Sequence, residues 1–529
     1  MLLLHNARIH TFDPDFSQVS ALVIEGGKIL AVGGEELLGA YPQAERINMR
    51  GLIVMPGLTD AHLHLEHWTL SLQKLDCELP TKEQILARVA ETEKLARPGE
   101  WIVGHGWNQN LWGGVWPTAA DLDAVAPLNP VYLTAKSLHA GWANSMALRL
   151  AKIKKHQRDP EEGSLQRDAR GNLTGILFEK AMSLVEAAIP APQPDELAEM
   201  LARSIPELWK MGLTGVHNFD RSVSFRALQL LHQRGRLFLR VLQSIPREDL
   251  EIFLQLGLKG GQGDDMLRIG HLKLFADGAL GPRTAAMLEP YVDEPQNCGI
   301  LLMDDKTIFE YGRRAAQANL PLAVHAIGDR ANRQVLDAFE QLRLYERQHG
   351  FPALRHRIEH LQLLHPREVP RVAELNVIAS MQPIHATSDM EMAERGWGER
   401  AALAYAWQTQ IQQGAKLAFG SDAPVEHPNP FWGLHAAVTR QRADGSPGPN
   451  GWYPQQRLTR RQALEAFLIG PAYAAEMEDR LGRLKPGFLA DLIVLAVDPL
   501  ECEVSQLREI KPIATMVGGH WVWEAEKLL

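Results

Sequence analysis

Cysteine is scarce: Cys77, Cys298 and Cys502 are the only three in 529 residues, far apart and without a Cys-x-x-Cys pair. That argues against a disulfide scaffold and against a cysteine-built zinc cluster, and it fits reduced thiols in a cytoplasmic chain. No basic block is present either. Lys and Arg number 55 against 64 Asp and Glu, a net charge of -9, so neither nucleic acid nor an anionic membrane is an expected partner. No apolar run approaches the length of a membrane span, and Met1-Leu2-Leu3-Leu4 is too short for a signal-peptide core. No Gly-x-Gly-x-x-Gly opens a helical pattern, which weakens an open dinucleotide-binding sheet. Internal repeats and low-complexity tracts are also missing. What remains is ordinary globular composition, 45% hydrophobic and 22% charged, with one excess. Twenty residues are histidine, about twice ordinary usage, so histidine clusters are worth seeking.

The two ends of the chain share a pattern. Apolar strands flank Gly26-Gly27 near the start and Gly518-Gly519 near the end, as in hairpins. Each segment alone would leave open sheet edges that pairing would close. Residues 1–50 and 482–529 therefore read as one composite β-sandwich domain. Between them, apolar strands alternate with amphipathic helices such as 331–348 and 367–375. Candidate strands fall at 53–62, 213–220, 237–245, 267–276, 320–327, 354–361, 377–382 and 417–422. Eight strand–helix units predict an α/β fold, a TIM-like (β/α)8 barrel over residues 51–481. The long gap after the first strand reads as an inserted lobe, about residues 68–205, with strands near Trp101–Trp107 and Val131–Ala135.

The strongest chemical signal is His62-Leu63-His64 at the end of the first strand. Side chains two apart share one face of a strand, so both imidazoles can reach one cation. Two unrelated histidines would explain that motif alone. However, His325, His360 and Asp422 also fall at the C-terminal ends of predicted barrel strands, where barrel enzymes place their chemistry. Lys273 lies inside the apolar run Ile269-Gly270-His271-Leu272-Lys273-Leu274-Phe275-Ala276. Burial lowers a lysine pKa, and a neutral amine can take up carbon dioxide to give an anionic carbamate that bridges two cations. An ion pair with Asp277, or a snorkelling side chain, is the simpler reading of that lysine.

Together these residues resemble the metal-dependent amidohydrolase superfamily, and within it the amidohydrolase-3 group of YtcJ-like proteins and N-substituted formamide deformylases. The motifs are Pro56-Gly57-Leu58-Thr59-Asp60-Ala61-His62, Lys273-Leu274-Phe275-Ala276-Asp277-Gly278, Val324-His325-Ala326-Ile327-Gly328-Asp329, Arg357-Ile358-Glu359-His360, Ser380-Met381-Gln382-Pro383 and Gly420-Ser421-Asp422-Ala423-Pro424. The resemblance implies His62 and His64 on one metal, His325 and His360 on another, and Lys273 as a bridging carbamate. Asp422 would bind the first metal and handle protons. It implies two zinc ions, with carbon dioxide held on the lysine, and Glu179 as an extra or substitute carboxylate. Substrate residues are expected at His105, Trp107, His139 and Trp142 of the lobe, with Asn144 nearby, and at Arg283 and His385, with Asp389 nearby.

The expected reaction is hydrolysis of a non-peptide C–N bond, in an amide or an N-formyl or N-acyl amine, with Asp422 as proton acceptor and then donor. The expected partner is a small amide-like molecule; a homodimer stays open. Competing readings are a phosphoester or lactone hydrolase on the same site, or a silent metal-bound regulatory or scaffold protein. Deamination on one metal would leave Lys273 without a role.

Overall fold

Apolar runs buried on both faces make parallel strands, because neither side of such a strand tolerates water. The computed structural model, which describes all residues except 17–18, 138, 162 and 526–529, contains eight of them. They are β1 (Leu58–Leu63), β2 (Leu213–Asn218), β3 (Arg240–Pro246), β4 (Leu267–Phe275), β5 (Leu322–Ala326), β6 (Arg357–His360), β7 (Ile378–Met381) and β8 (Lys416–Phe419). Each pairs in parallel with its sequence neighbour in a single sheet. The sheet is a nearly closed (β/α)8 barrel. Its ends meet just past β8, where Leu63 and Ala423 form a parallel bridge. There the Asp422 N–H donates to the His62 carbonyl at 2.7 Å, and the His64 N–H to the Ala423 carbonyl at 2.9 Å. Gly420 permits this approach: a Cβ there would stand 2.4 Å from the His62 backbone nitrogen.

The first strand, expected over 53–62, is not one continuous element. The chain instead leaves one sheet and enters another at Pro56-Gly57. Ile53–Pro56 pairs antiparallel with Leu492–Leu495 and parallel with Arg8–Ile9. Leu492–Leu495 continues to Pro512–Val517 and then His520–Glu524, giving five strands from both ends of the chain. Leu2–His5, Ala21–Glu25, Lys28–Gly33 and Glu45–Asn48 form a separate four-stranded sheet. Leu4, Ile24 and Ile47 from that sheet share one core with Val54, Leu492 and Met516.

The chain divides into two units, Met1–Trp68 with Pro194–Leu529, and Thr69–Gln193. The second is narrower than the span 68–205, because helix Pro194–Lys210 packs beside β2 in the first unit. Thr69–Gln193 holds a six-stranded sheet in the order Gly163–Arg167, Leu173–Glu179, Ala140–Ala143, Val131–Ala135, Ile102–Trp107 and Leu75–Asp76. One of its cores sets Trp107 and Trp142 in T-shaped contact at 6.1 Å among aliphatic side chains such as Ile85, Val89 and Leu122.

Within the first unit, Arg240 at the start of β3 donates from Nε and Nη2 to both oxygens of Asp491, and both side chains are buried. Asp491 Oδ1 also accepts the Gly518 N–H at 2.7 Å. This pair ties the barrel to the five-stranded sheet, and removing one partner leaves the other charge unmatched in the interior. Asp491→Ala should therefore destabilise this unit by about 3–5 kcal/mol, read as a lowered urea or thermal midpoint, whereas a change at exposed Asp195 should leave the midpoint in place.

Candidate metal centre

The barrel strands deliver their polar residues to one end. His62 ends the inward run of β1, His64 follows it, His325 lies in β5, His360 ends β6 and Asp422 follows β8. His62, His360 and Asp422 each bring one donor atom within 4.8 Å of the others. Asp422 Oδ1 stands 3.4 Å from His62 Nε2 and 3.3 Å from His64 Nε2. Two ligands of a tetrahedral zinc ion, bound at about 2.0–2.1 Å, would themselves be about 3.3 Å apart. The donor set and its spacing fit a divalent metal.

The second nitrogen of each ring strengthens that fit. His62 Nδ1–H donates to Glu359 Oε2 at 2.6 Å, His360 Nδ1–H to Gln382 Oε1 at 2.8 Å, and His325 Nε2–H to the Gly278 carbonyl at 2.9 Å. His64 Nδ1 faces Asp220 Oδ1 at 3.4 Å. His62, His360 and His325 are thus each fixed in one tautomer whose other nitrogen keeps its lone pair: Nε2 of His62 and His360, and Nδ1 of His325. Metal-ligating histidines are oriented in this manner. The His325 and His360 ring centres are 4.6 Å apart, and those of His62 and His360 4.9 Å.

Burial and neighbouring charge set the protonation states. Burial holds His325 down at about 4, helped by Lys273, and pushes His360 well below its ordinary value, so both rings are neutral and able to coordinate. For Asp422, burial works upward, but the histidines around it outweigh that and hold the carboxyl well below the usual range. Burial also lowers His64, yet Asp220 and Asp422 prevail and raise it to about 9 in the absence of a competing cation. Lys273 is brought down to about 8 by burial, against the pull of Glu359 and Asp422.

The lysine neither snorkels nor pairs with Asp277. It is 4% exposed, with Nζ 4.6 Å from the centre of the Phe219 ring and 4.9 Å from that of Phe275. Asp277 is occupied elsewhere, accepting the N–H groups of Ala286, Ile327 and Gly328 at 2.8–3.0 Å.

The remaining candidates separate. His385 places Nε2, buried and without a hydrogen-bond partner, 4.0 Å from Asp422 Oδ2. Arg283 is committed to Asp293 at 2.6 Å and to the Leu280 carbonyl at 3.0 Å, so it staples its own loop. Asp389 accepts the Tyr405 hydroxyl at 2.5 Å.

Trp107 and Trp142 are fully buried in the lobe core, where their N–H groups donate to the Leu133 and Thr118 carbonyls. This packing leaves no ring face or donor for a ligand. Asn144 is likewise a helix cap, accepting from Ala147 N–H. His105 Nδ1 meets Thr134 Oγ1 at 2.9 Å, while His139 and Glu179 form an exposed pair at 3.0 Å. Leu138, next to His139, lies outside the described residues. Glu179 belongs to neither donor group found among the described residues.

Glu359 is a functional residue that the sequence motifs leave without a role. Wholly buried, it accepts from His62, from Ser380 Oγ at 2.6 Å and from Arg357 Nη2 at 3.1 Å. Arg357 and His62 hold its carboxyl well below the usual range although burial opposes them. The available signal was its spacing: Arg357 and Glu359 alternate on one face of β6. Glu359→Gln should weaken metal binding about 10–100-fold, measured by competition with a chromophoric chelator, while Glu340→Gln on an exposed helix face should leave the affinity unchanged.

The amidohydrolase family model matches residues 45–523. Protein LONG AFTER FAR-RED 3 of Arabidopsis thaliana is 32% identical over 99% of this chain and 91% of its own length. The N-substituted formamide deformylase of Arthrobacter pascens is 29% identical over 98% of this chain and 97% of its own. Among solved structures, a metal-dependent hydrolase from Pyrococcus furiosus superposes with a TM-score of 0.80 at 32% identity, covering 94% of this chain and 99% of that one. On the matched span, the barrel and the histidine–aspartate cluster at its strand ends, the chain belongs to the amidohydrolase family.

Proposed function

We propose that the protein is a metal-dependent hydrolase of small amides, with N-formyl and N-acyl amines as its substrate class. The observation that carries this is the convergence on Asp422 of imidazoles whose far nitrogens are already bound. Similarity to a formamide deformylase supports the choice of a C–N bond. His62, His64 and Asp422 would hold one divalent ion, and His325 and His360 a second, zinc by donor type. When bound, such ions acidify water and polarise a carbonyl oxygen.

The chain's own residues supply the rest. The Lys273 ammonium first gives up one proton to become the neutral amine. The amine then forms an N–C bond to carbon dioxide and releases a second proton to solvent, so that a buried cation becomes an anionic ligand with two oxygens. Asp422 stays ionised because its neighbours hold its pKa down, so it is ready to accept the proton of the attacking water. It then returns that proton to the leaving nitrogen. His385, aimed at Asp422, offers a hydrogen bond to a substrate oxygen. Phe275, 42% exposed beside His325, offers apolar surface to the substituent on nitrogen.

A zinc-loaded panel of N-formyl amines, N-acyl amines, lactones and phosphotriesters tests the reading. Amine release from the first two classes is expected; turnover confined to lactones or phosphotriesters would replace it, and none anywhere would favour a silent scaffold. Lys273→Ala should lower metal content and turnover together, with partial rescue by short carboxylic acids. The lysine also predicts a pH dependence. Its amine is neutral above about 8, so at fixed dissolved carbon dioxide, reconstitution of metal-free protein should run about 20-fold faster at pH 8.5 than at pH 6.5. Equal rates at both would remove the carbamate.

A further inference from the structure

We propose that His64, His67 and Asp220 form an outer cation site for a zinc-like divalent metal, and that this site competes with the catalytic centre for His64. The three residues each bring one donor atom within 4.8 Å of the others. They grade from interior to solvent: the Asp220 side chain is wholly buried, that of His64 is 24% exposed and that of His67 62%. An ion can therefore enter from water and meet a carboxylate that water does not reach. Asp220 Oδ1 stands 2.9 Å from His67 Nδ1 and 3.4 Å from His64 Nδ1, and the two rings lie edge to face at 5.7 Å.

The simpler role for Asp220 is to cap the helix Leu65–Leu72, since its Oδ2 accepts the Glu66 N–H at 2.5 Å. That role uses one oxygen only. It pins the carboxylate in place and leaves Oδ1, the atom both imidazoles face, already positioned for a ligand. Mixed imidazole and carboxylate donors suit zinc and its neighbours better than calcium or magnesium, which favour oxygen alone.

Competition follows from the two faces of one ring. His64 turns Nε2 toward Asp422 and Nδ1 toward Asp220, yet a neutral imidazole has a single free lone pair. Binding at Nδ1 displaces the proton there. That proton either moves to Nε2, taking His64 from the inner centre, or leaves for solvent, giving an imidazolate at higher cost. Occupying the outer site thus opposes the inner one, and metal in excess should inhibit. The inhibition rests on the proposed role of His64 in the catalytic centre; binding at the outer site does not.

The test titrates the full chain with zinc against a chromophoric chelator, for the wild type, His67→Ala and His67→Asp. The weakest class of bound zinc should lose about ten-fold or more in affinity with His67→Ala and stay within about three-fold with His67→Asp, which keeps a ligand. The midpoint of inhibition by excess zinc should move by the same factor for whichever substrate is turned over. Superimposable isotherms for wild type and His67→Ala would overturn the site. A shifted isotherm with an unmoved inhibition midpoint would overturn the competition. Because the isotherm needs no substrate, failure of the amide panel leaves it readable.

Discussion

A buried carboxylate, Glu359, organises the barrel's active end. An ionised group with no access to water persists only if its oxygens are matched, because leaving such a charge unpaired costs about 3–5 kcal/mol, a large share of a fold's stability. Here Oε2 accepts from the His62 imidazole of β1, the Ser380 hydroxyl of β7 and Nη2 of Arg357 on its own strand, while Oε1 is matched by the charge of Arg357 Nε. Arg357 in turn donates to the Ala61 carbonyl at 2.6 Å and reaches His217 Nδ1 of β2 at 2.8 Å. One ionic pair thus fixes the relative positions of four strands. It also sets the tautomer of the first histidine, so the orientation of a ligand and the closure of the barrel are the same constraint.

Closure is tightest where the chemistry lies. Asp60 accepts the backbone N–H groups of His62 and Ser421, both at 3.0 Å, and the Ser421 hydroxyl at 2.6 Å, which binds the end of β1 to the end of β8. Burial raises Asp60 to about 6 despite these bonds. Two residues of the cluster hold left-handed backbone conformations, His360 with φ 74° and Asp422 with φ 61°. Neither is glycine, so each conformation costs about 1–3 kcal/mol and persists only where its surroundings over-determine it. On a regular strand, His360 would face away from Glu359. Its positive φ interrupts that alternation and brings the ring to the cluster.

The same burial acts in opposite directions on the groups it surrounds. It strips charge from His325 and His360, which makes them ligands, and it lowers Lys273 toward the neutral amine. Asp422 and Glu359 resist it because cationic or donor groups stand against them. The outcome is anionic oxygen at two fixed points, Asp422 and Glu359, with neutral imidazoles at His325 and His360, donors suited to divalent cations.

The strand ends were legible in the sequence. Residues that must be apolar for a parallel strand and then end in His or Asp mark themselves, as His62, His325, His360 and Asp422 do. Apolar runs located seven of the eight strands to within about three residues, the first being run together with Ile53–Pro56 of another sheet. The sequence also showed Lys273 in an apolar run, where its charge could not be comfortable. It could not show which atoms satisfy the second nitrogen of each histidine. Glu359 lies 297 positions from His62, and Asp220 lies 156 from His64; such partners have no local signature. Nor could it separate a tryptophan that meets a ligand from one that fills a core, because both need the same apolar surface, and Trp107 and Trp142 fill the core. The sequence by itself determined which side chains reach the barrel mouth, because strand periodicity is local. Tertiary structure alone decided their tautomers, charges and partners, because those depend on burial and on contacts made across the sheet.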